Sequence, residues 1–373
     1  MRCGYFDAGA CRSCTWLPTP YDDQLAAKQA HAAELLRDQP GIDWLPPVRS
    51  RESGFRSKAK MVVGGTVEAP TLGILDEHRH GTDLRECGLH VPALHDALPH
   101  LADFVRRARL TPYDVTSRTG ELKHLLVTAA PDHALMVRLV LRSTEALPRV
   151  RKHLPWLRER LPRLAVASVN LQPRHAAVLE GDVEEVLLGE TLAITLGAVT
   201  LHLRPQGFFQ TNTEVAAALY REAAAWTSAL DARSVWDLYC GVGGFALHLA
   251  APGRRVTGVE VAEQAVRAAR RSAEEAGAVD VEFVAGDATA WARDRPDPDL
   301  VVVNPPRRGL GPELAARIEE GGARALLYSS CHPVSLARDL AAMPSLRPVR
   351  ARVFDMFPQT AHQEVLVLAE RRG

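Results

Sequence analysis

Apolar positions recur along the chain with two different rhythms, and the change comes near residue 206. Residues 21–38 are rich in Ala and Leu and read as a helix, stopped by Pro40 and Gly41. Short apolar runs at 60–63 and 71–75, on either side of Gly64-Gly65, predict two strands. Leu94, Leu98, Leu101 and Val105 fall at helical spacing, although Pro99 stands among them as a helix breaker. Strands are expected at 125–129, 135–141 and 166–171, with a helix over 150–161. A hairpin is expected at 191–196 and 199–203, turning at Gly197-Ala198. This middle stretch reads as α+β and carries no chemical motif of its own.

From 206 onward strand and helix alternate regularly. Strands are predicted at 235–239, 256–260, 281–284, 300–304 and 325–329, with helical stretches between them such as 262–276. Two more strands, at 349–354 and 364–368, close the chain. Such alternation implies an α/β fold, a parallel sheet with helices on both faces and ligands bound at the C-terminal strand ends. The expected organisation is therefore 1–90 as an N-terminal region, 91–205 as a central α+β domain and 206–373 as an α/β domain.

Composition narrows the class without naming a chemistry. A chain of 373 residues, 46% hydrophobic and 24% charged, suits a globular protein of two or three domains. No apolar run approaches the roughly 18 residues that span a bilayer, and no apolar stretch follows a basic start, so a cytoplasmic protein without a membrane or secretory segment is expected. Lys plus Arg equals Asp plus Glu at 45 each, which gives no general pull toward polyanions. Locally, Arg49, Arg51, Arg56, Lys58 and Lys60 face only Glu52, a solvated basic face or a phosphate-binding patch.

Candidate chemistry clusters at the predicted strand ends. Asp237-Leu238-Tyr239-Cys240-Gly241-Val242-Gly243-Gly244 carries a strand into a glycine turn, where backbone can approach a ligand closely. Glu260, at the end of the next strand, can accept both ribose hydroxyls of an adenosine-containing cofactor. Gly241-x-Gly243-x-x-Ala246 also fits a dinucleotide fingerprint, so NAD stays open on this motif alone. Asn304-Pro305-Pro306-Arg307-Arg308-Gly309 is stiff and lacks two backbone donors, which suits holding a polar side chain over a cofactor pocket and disfavours a dehydrogenase. Cys331, after the fifth strand, is a candidate nucleophile, and Glu364, at the last strand, a candidate base. Phe208-Phe209-Gln210-Thr211-Asn212 offers a ring for a base and amides for a cofactor. Cys3, Cys11, Cys14 and Cys87 form a metal signal that suits tetrahedral zinc or an iron–sulfur cluster equally well by spacing.

Together these runs, with Gly54-Phe55-Arg56-Ser57-Lys58-Ala59-Lys60-Met61 and Phe354-Asp355-Met356-Phe357-Pro358-x-Thr360-Ala361-His362-x-Glu364, resemble the RNA uracil-C5 methyltransferase family over essentially the whole chain. The N-terminal cysteines resemble its bacterial 23S ribosomal RNA branch, which carries a [4Fe–4S] cluster and lacks an extra N-terminal RNA-binding barrel; Cys3 is expected to leave no room for one. The resemblance implies a Rossmann-like S-adenosylmethionine domain, a central RNA-binding domain and a small iron–sulfur region. It implies Cys331 as nucleophile and Glu364 as proton acceptor. It puts Gln210, Tyr239, Glu260, Asn304 and Asp287 at S-adenosylmethionine and gives the cluster to Cys3, Cys11, Cys14 and Cys87. Phe208 would stack on the flipped uracil, and Arg56, Lys58 and Lys60 would meet RNA. His332 departs from the Asn that many relatives carry after the nucleophile, which puts neighbouring substrate contacts in doubt. The implied partner is 23S ribosomal RNA, at uracil 747, met by a monomer; transfer RNA at uridine 54 is the alternative. A non-catalytic RNA-binding protein has no use for Cys331 and Glu364 together. The Cys-x3-Cys-x2-Cys spacing of radical S-adenosylmethionine enzymes is absent, so the cluster is expected to order the N-terminal segment.

Overall fold

The computed structural model describes Met1–Arg372. In chain order come a helical turn α1 (Gly4–Asp7), helix α2 (Tyr21–Leu35), strands β1 (Asp43–Val48), β2 (Lys58–Gly65), β3 (Pro70–Leu75) and β4 (Gly81–Asp83), and helix α3 (Pro92–Arg107). Strands β5 (Leu122–Ala129) and β6 (Leu135–Leu141), helix α4 (Leu147–Arg160), and strands β7 (Leu164–Leu171) and β8 (Val183–Leu188) follow. Then come β9 (Leu192–Leu196) and β10 (Val199–Leu203), where the hairpin signal expects them. The rest alternates: α5 (Thr213–Ser228), β11 (Ser234–Leu238), α6 (Gly244–His248), β12 (Arg255–Glu260), α7 (Glu263–Glu275) and β13 (Val281–Ala285). After these are α8 (Ala288–Ala292), β14 (Leu300–Val303), α9 (Pro312–Glu320), β15 (Ala325–Ser330), α10 (Pro333–Ala341), β16 (Leu346–Phe354) and β17 (Glu364–Arg371).

The chain divides into two compact units that do not follow its order. Met1–Cys14, Glu52–Ile194 and Arg204–Gln206 form the first; Thr15–Arg51, Thr195–Leu203 and the remainder from Gly207 form the second. Residues 15–51, grouped with the N-terminal region on sequence grounds, therefore lie in the second unit. The reason is β1, which adds in parallel to β16 with Asp43 opposite Arg350 and Val48 opposite Phe354. Its Pro46 and Pro47 hide it from a strand reading, yet proline is tolerated on an edge strand, and β1 is an edge.

In the first unit a seven-stranded sheet runs β4-β3-β2-β5-β6-β7-β8. Its neighbours are antiparallel except β6 and β7, which are parallel and joined through α4. Helix α3 continues through Pro99. Leu94, Leu98, Leu101 and Val105 are each 0% exposed in the core of this unit. Burying four such side chains, at about 1.5–3 kcal/mol each, outweighs the roughly 3 kcal/mol that an interior proline costs.

In the second unit an eight-stranded sheet runs β1-β16-β17-β15-β14-β11-β12-β13. Strands β13, β12, β11, β14 and β15 are parallel, and β17 enters antiparallel between β15 and β16. The succession leaves β11 in one direction through β12 and β13 and in the other through β14 and β15. The crevice beyond β11 and β14 is thus the topological switch point, where open α/β sheets take ligands. Among the described residues no helix is long and apolar enough to cross a membrane.

Candidate active site

Strand register aligns the motif residues of the second unit. Leu238 pairs with both Val259 and Val303, and Val303 pairs with Tyr328. The residues that follow, Tyr239, Glu260, Asn304 and Ser329, therefore line up along one end of the sheet. On the antiparallel side Ser330 pairs with Val365, so the next position along the ladder sets Cys331 opposite Glu364. Residues 33 positions apart in the chain meet because β17 turns back beside β15.

Glu364 is 1% exposed. Burial pushes its carboxyl up to about 7, opposed only by a hydrogen bond that Ser329 Oγ donates to Oε1. A carboxyl titrating there is suited to take a proton near neutral pH. Cys331 is a half-buried free thiol. Burial and then the Glu364 charge push its pKa up, while the Arg307 guanidinium pulls it down through its charge and a hydrogen bond to the sulfur. Arg307 Nη2 also lies 3.2 Å from His362 Nδ1. Arg307 faces the thiol, and its place in the Pro-Pro loop is the sequence signal for that.

Buried Asp339 pins that loop. It accepts hydrogen bonds from Leu310 N at 2.7 Å and from the Tyr328 hydroxyl at 2.7 Å, tying the loop to the end of β15. Gly309 has φ +81°, and a Cβ there would sit 2.3 Å from Asp339 Oδ2. Asp339 had no sequence signal. His332 caps α10, its side chain accepting from Ser335 N. Asn is a preferred cap for the same reason, so the departure at this position preserves a helix start.

The glycine turn is built on left-handed backbone at Tyr239 (φ +64°), Gly241 (+54°) and Gly243 (+86°). A Cβ on Gly243 would lie 2.7 Å from the Phe283 ring, whereas one on Gly241 would meet nothing within 4 Å. Space over Gly241 is open. Glu260 steadies the turn by accepting from Gly241 N at 3.2 Å and Ala262 N at 2.9 Å. Asp237 is fully buried; Oδ2 accepts from Ala246 N at 2.8 Å, while Oδ1 has no hydrogen-bond partner, and burial pushes the carboxyl up to about 7. Tyr239 is half-buried with a raised pKa, owing first to burial and then to Asp287, while Arg308 opposes the rise. Asp287 is exposed and caps α8 through Ala290 N at 2.9 Å. Gln210 is buried and Phe208 is 73% exposed. An adenosine-containing cofactor fits an open turn bordered by Glu260, a buried aspartate with an unused oxygen, and a polar Asn304 at the switch point.

Residues 235–314 match the model of a family described as "Methyltransferase domain", and 294–372 match one described as "tRNA (Uracil-5-)-methyltransferase". Proteins named 23S rRNA (uracil(747)-C(5))-methyltransferase RlmC are similar throughout. That of Halothiobacillus neapolitanus is 50% identical over 379 residues, and that of Pectobacterium carotovorum 47% over 377, each match covering 100% of both chains. The chain belongs to the RNA uracil-C5 methyltransferase family. The crystal structure of Pyrococcus abyssi tRNA (uracil-54, C5)-methyltransferase in complex with S-adenosyl-L-homocysteine shares the fold, at TM-score 0.78 and 24% identity. The match covers 95% of this chain and 85% of that one.

The segment ahead of Glu364 has a support that sequence reading missed. Lys28, 1% exposed on α2, donates to Asp355 Oδ1 at 2.6 Å and to Phe357 O at 3.1 Å. Tyr21 OH donates to Asp355 Oδ2 at 2.7 Å, and Gln24 and Gln359 exchange hydrogen bonds at 2.9 and 3.0 Å. One side of α2 thus holds residues 355–359, which lead into Glu364. A lysine on a helix ordinarily reads as surface, and nothing in the sequence marks this one as buried.

The four N-terminal cysteines all lie in the first unit as free thiols. Cys14 is pushed up to about 11 by burial and by the charges of Cys87, Cys11 and Cys3, so the four share one neighbourhood. Arg56 opposes that rise. Arg56 N donates to Leu89 O at 2.7 Å, which lays its strand beside Cys87. Among the described residues no three His, Cys, Asp or Glu converge as a site for a metal ion. Of the three basic residues expected at RNA, only Lys60 is exposed; Arg56 sits at the cysteines, and burial lowers Lys58 to about 8.

Proposed function

We propose that this chain methylates carbon 5 of a uridine in 23S ribosomal RNA, uracil 747 by analogy with its named relatives, giving 5-methyluridine. The observation that carries the reading is Cys331 standing opposite Glu364 at the switch-point edge of the sheet, with Arg307 on the sulfur. Carbon 5 of uracil is a weak nucleophile. Cys331 adds as a thiolate to carbon 6, and the electron pair moves into the ring as an enolate whose carbon 5 attacks an electrophilic methyl group. Arg307 favours the thiolate against burial and the nearby carboxylate. Glu364 then removes the carbon-5 proton, and the returning electron pair expels the Cys331 sulfur, so the nucleophile is regenerated.

S-adenosylmethionine supplies the methyl group as a sulfonium. Gln210, Tyr239, Glu260 and Asn304 would hold it, with Asp287 near Tyr239. Phe208, exposed as an aromatic must be to stack, would receive the flipped base. In this reading the first unit carries RNA contacts, Lys60 among them, and the protein works as a cytoplasmic monomer.

Cys3, Cys11, Cys14 and Cys87 would hold a [4Fe–4S] cluster. Zinc needs four sulfurs about 2.3 Å from one point. The four thiols share one neighbourhood, and their resemblance to those of the 23S ribosomal RNA branch favours the four-iron ligand over zinc. The cluster would order the segment before Cys14. Anaerobically purified protein should be brown and contain iron and acid-labile sulfide; stoichiometric zinc without sulfide overturns the assignment.

The catalytic reading is tested with RNA containing 5-fluorouridine. Fluorine cannot leave as a proton does, so the wild-type protein should form a denaturation-resistant adduct with this RNA, and Cys331→Ala should form none. An enzyme active on ordinary RNA that gives no adduct sinks the covalent mechanism. Comparing methylation of 23S and transfer RNA transcripts decides the target, with uridine 54 of transfer RNA as the alternative.

A further inference from the structure

Resting on the RNA reading above, we infer that the last turn of α3 and the outer side of α4 form a contact surface for the RNA phosphate backbone. Helix α4 buries Leu147, Val150 and Leu157 in the core of the first unit and turns its charged residues outward. Arg149 Nε donates to Ala108 O at 3.1 Å, which fixes the end of α3 beside α4. The Trp156 ring is flanked by Arg107, 5.2 Å from its centroid, and by Arg160 at 5.8 Å. Lys152 stands one turn before Trp156, and both Arg107 and Lys152 act on the ring of His153.

Pairing separates these cations from Arg106, Arg149 and Arg151, though not from Arg158, which is also exposed and forms no ion pair among the described residues. Arg106, Arg149 and Arg151 are matched by Asp103, Glu145 and Glu185. Arg107, Lys152 and Arg160 are exposed and form no ion pair among the described residues, with Glu159 the one carboxylate within α4. Favourable interaction with a helix C-terminus accounts for Arg107 and Arg160, since each lies in a last turn, but not for Lys152 in mid-helix. Two unpaired cations on an indole, with a third one helical turn away on the same helix, suit a polyphosphate chain whose bases or riboses can lie against the ring.

The test uses the cluster-containing protein and measures RNA affinity against salt, on a 23S fragment and on transfer RNA. Arg107→Gln/Lys152→Gln/Arg160→Gln should shrink the log–log salt slope by about 2 on whichever RNA the wild type methylates, with roughly tenfold or more lost affinity at low salt. Arg106→Gln, which removes an already paired charge, should leave the slope alone. Melting temperatures establish that the variants fold; should the triple variant fail, Lys152→Glu alone should lower the slope by about 1. An unchanged slope in a folded variant overturns the proposal. Which RNA the wild type methylates is read separately, so a wrong target and a wrong surface give different results.

Discussion

Carboxylates held away from solvent titrate in opposite directions in the two units, the more fully partnered one downward and the more deeply buried ones upward. In the first unit Glu184 is half-buried on the edge strand β8 beside Arg138, which is 3% exposed. Burial alone would raise its pKa, but hydrogen bonds from Arg138, Ser168 and Asn170 and the Arg138 charge overcome this and hold it below the usual range. In the second unit Glu364 has Ser329 as its opposing partner and rises to about 7, and Asp237 rises to about 7 with one oxygen unpartnered. A saturated polar network specifies structure; an unsaturated one is poised for chemistry or a ligand. Glu364 and Asp237, both in the second sheet, are two carboxylates left short of partners.

The largest expected effect is at Cys331. Cys331→Ala should lose methyl transfer by about 10⁴-fold or more, with S-adenosylhomocysteine binding and melting temperature retained. Residual turnover near wild type would remove the unsaturated edge from catalysis. Glu364→Gln should lower turnover about 10²- to 10⁴-fold, and a protein–RNA adduct carrying the methyl group should accumulate on denaturing gels. Loss of activity with no adduct would place Glu364 before, not after, methyl transfer.

The saturated network should answer differently. Arg138→Met strands Glu184 and Glu180 and should cost about 3–5 kcal/mol in denaturant unfolding, with no shift in the pH profile of methyl transfer. A moved pH profile would erase the distinction between the units. The smallest effect follows from the Glu364 carboxyl, which is raised from 4.5 to about 7 on folding. The unfolded chain ionises first, so the stability that the protonated group supports is present below pH 4.5 and lost as pH rises through 7. Glu364→Gln should therefore be more stable than wild type at pH 8 by about 3 kcal/mol, and the gap should close by pH 4. Wild-type turnover should rise through pH 7, as the base ionises.

Much of the second unit was legible because strand and helix alternate regularly: 300–304 holds a continuous apolar run buried on both faces, and it, 256–260 and 281–284 match strands to within a residue at either end. The motif residues Tyr239, Glu260 and Asn304 were legible as strand ends for the same reason. Burial of particular charges was not. Arg56 and Lys58 read as a basic patch with Lys60; strand alternation does put Lys58 on the same face as exposed Lys60, yet Lys58 is half-buried there and the Cys87 segment lies beside Arg56. Lys28 is hidden by Asp355, more than 300 positions away in the chain.

By itself the sequence determined the alternation, the glycine turn at Gly241 and Gly243, the stiff loop after Asn304 and the presence of a thiol and a carboxylate suited to covalent chemistry. These are properties of local periodicity and residue type, written within a few positions. Only the tertiary structure decided that Cys331 faces Glu364, that Arg307 reaches the sulfur and that α2 holds the segment before Glu364. Each depends on non-local pairing, above all the antiparallel entry of β17 between β15 and β16. A one-residue slip in that register would turn Glu364 to the other face of the sheet.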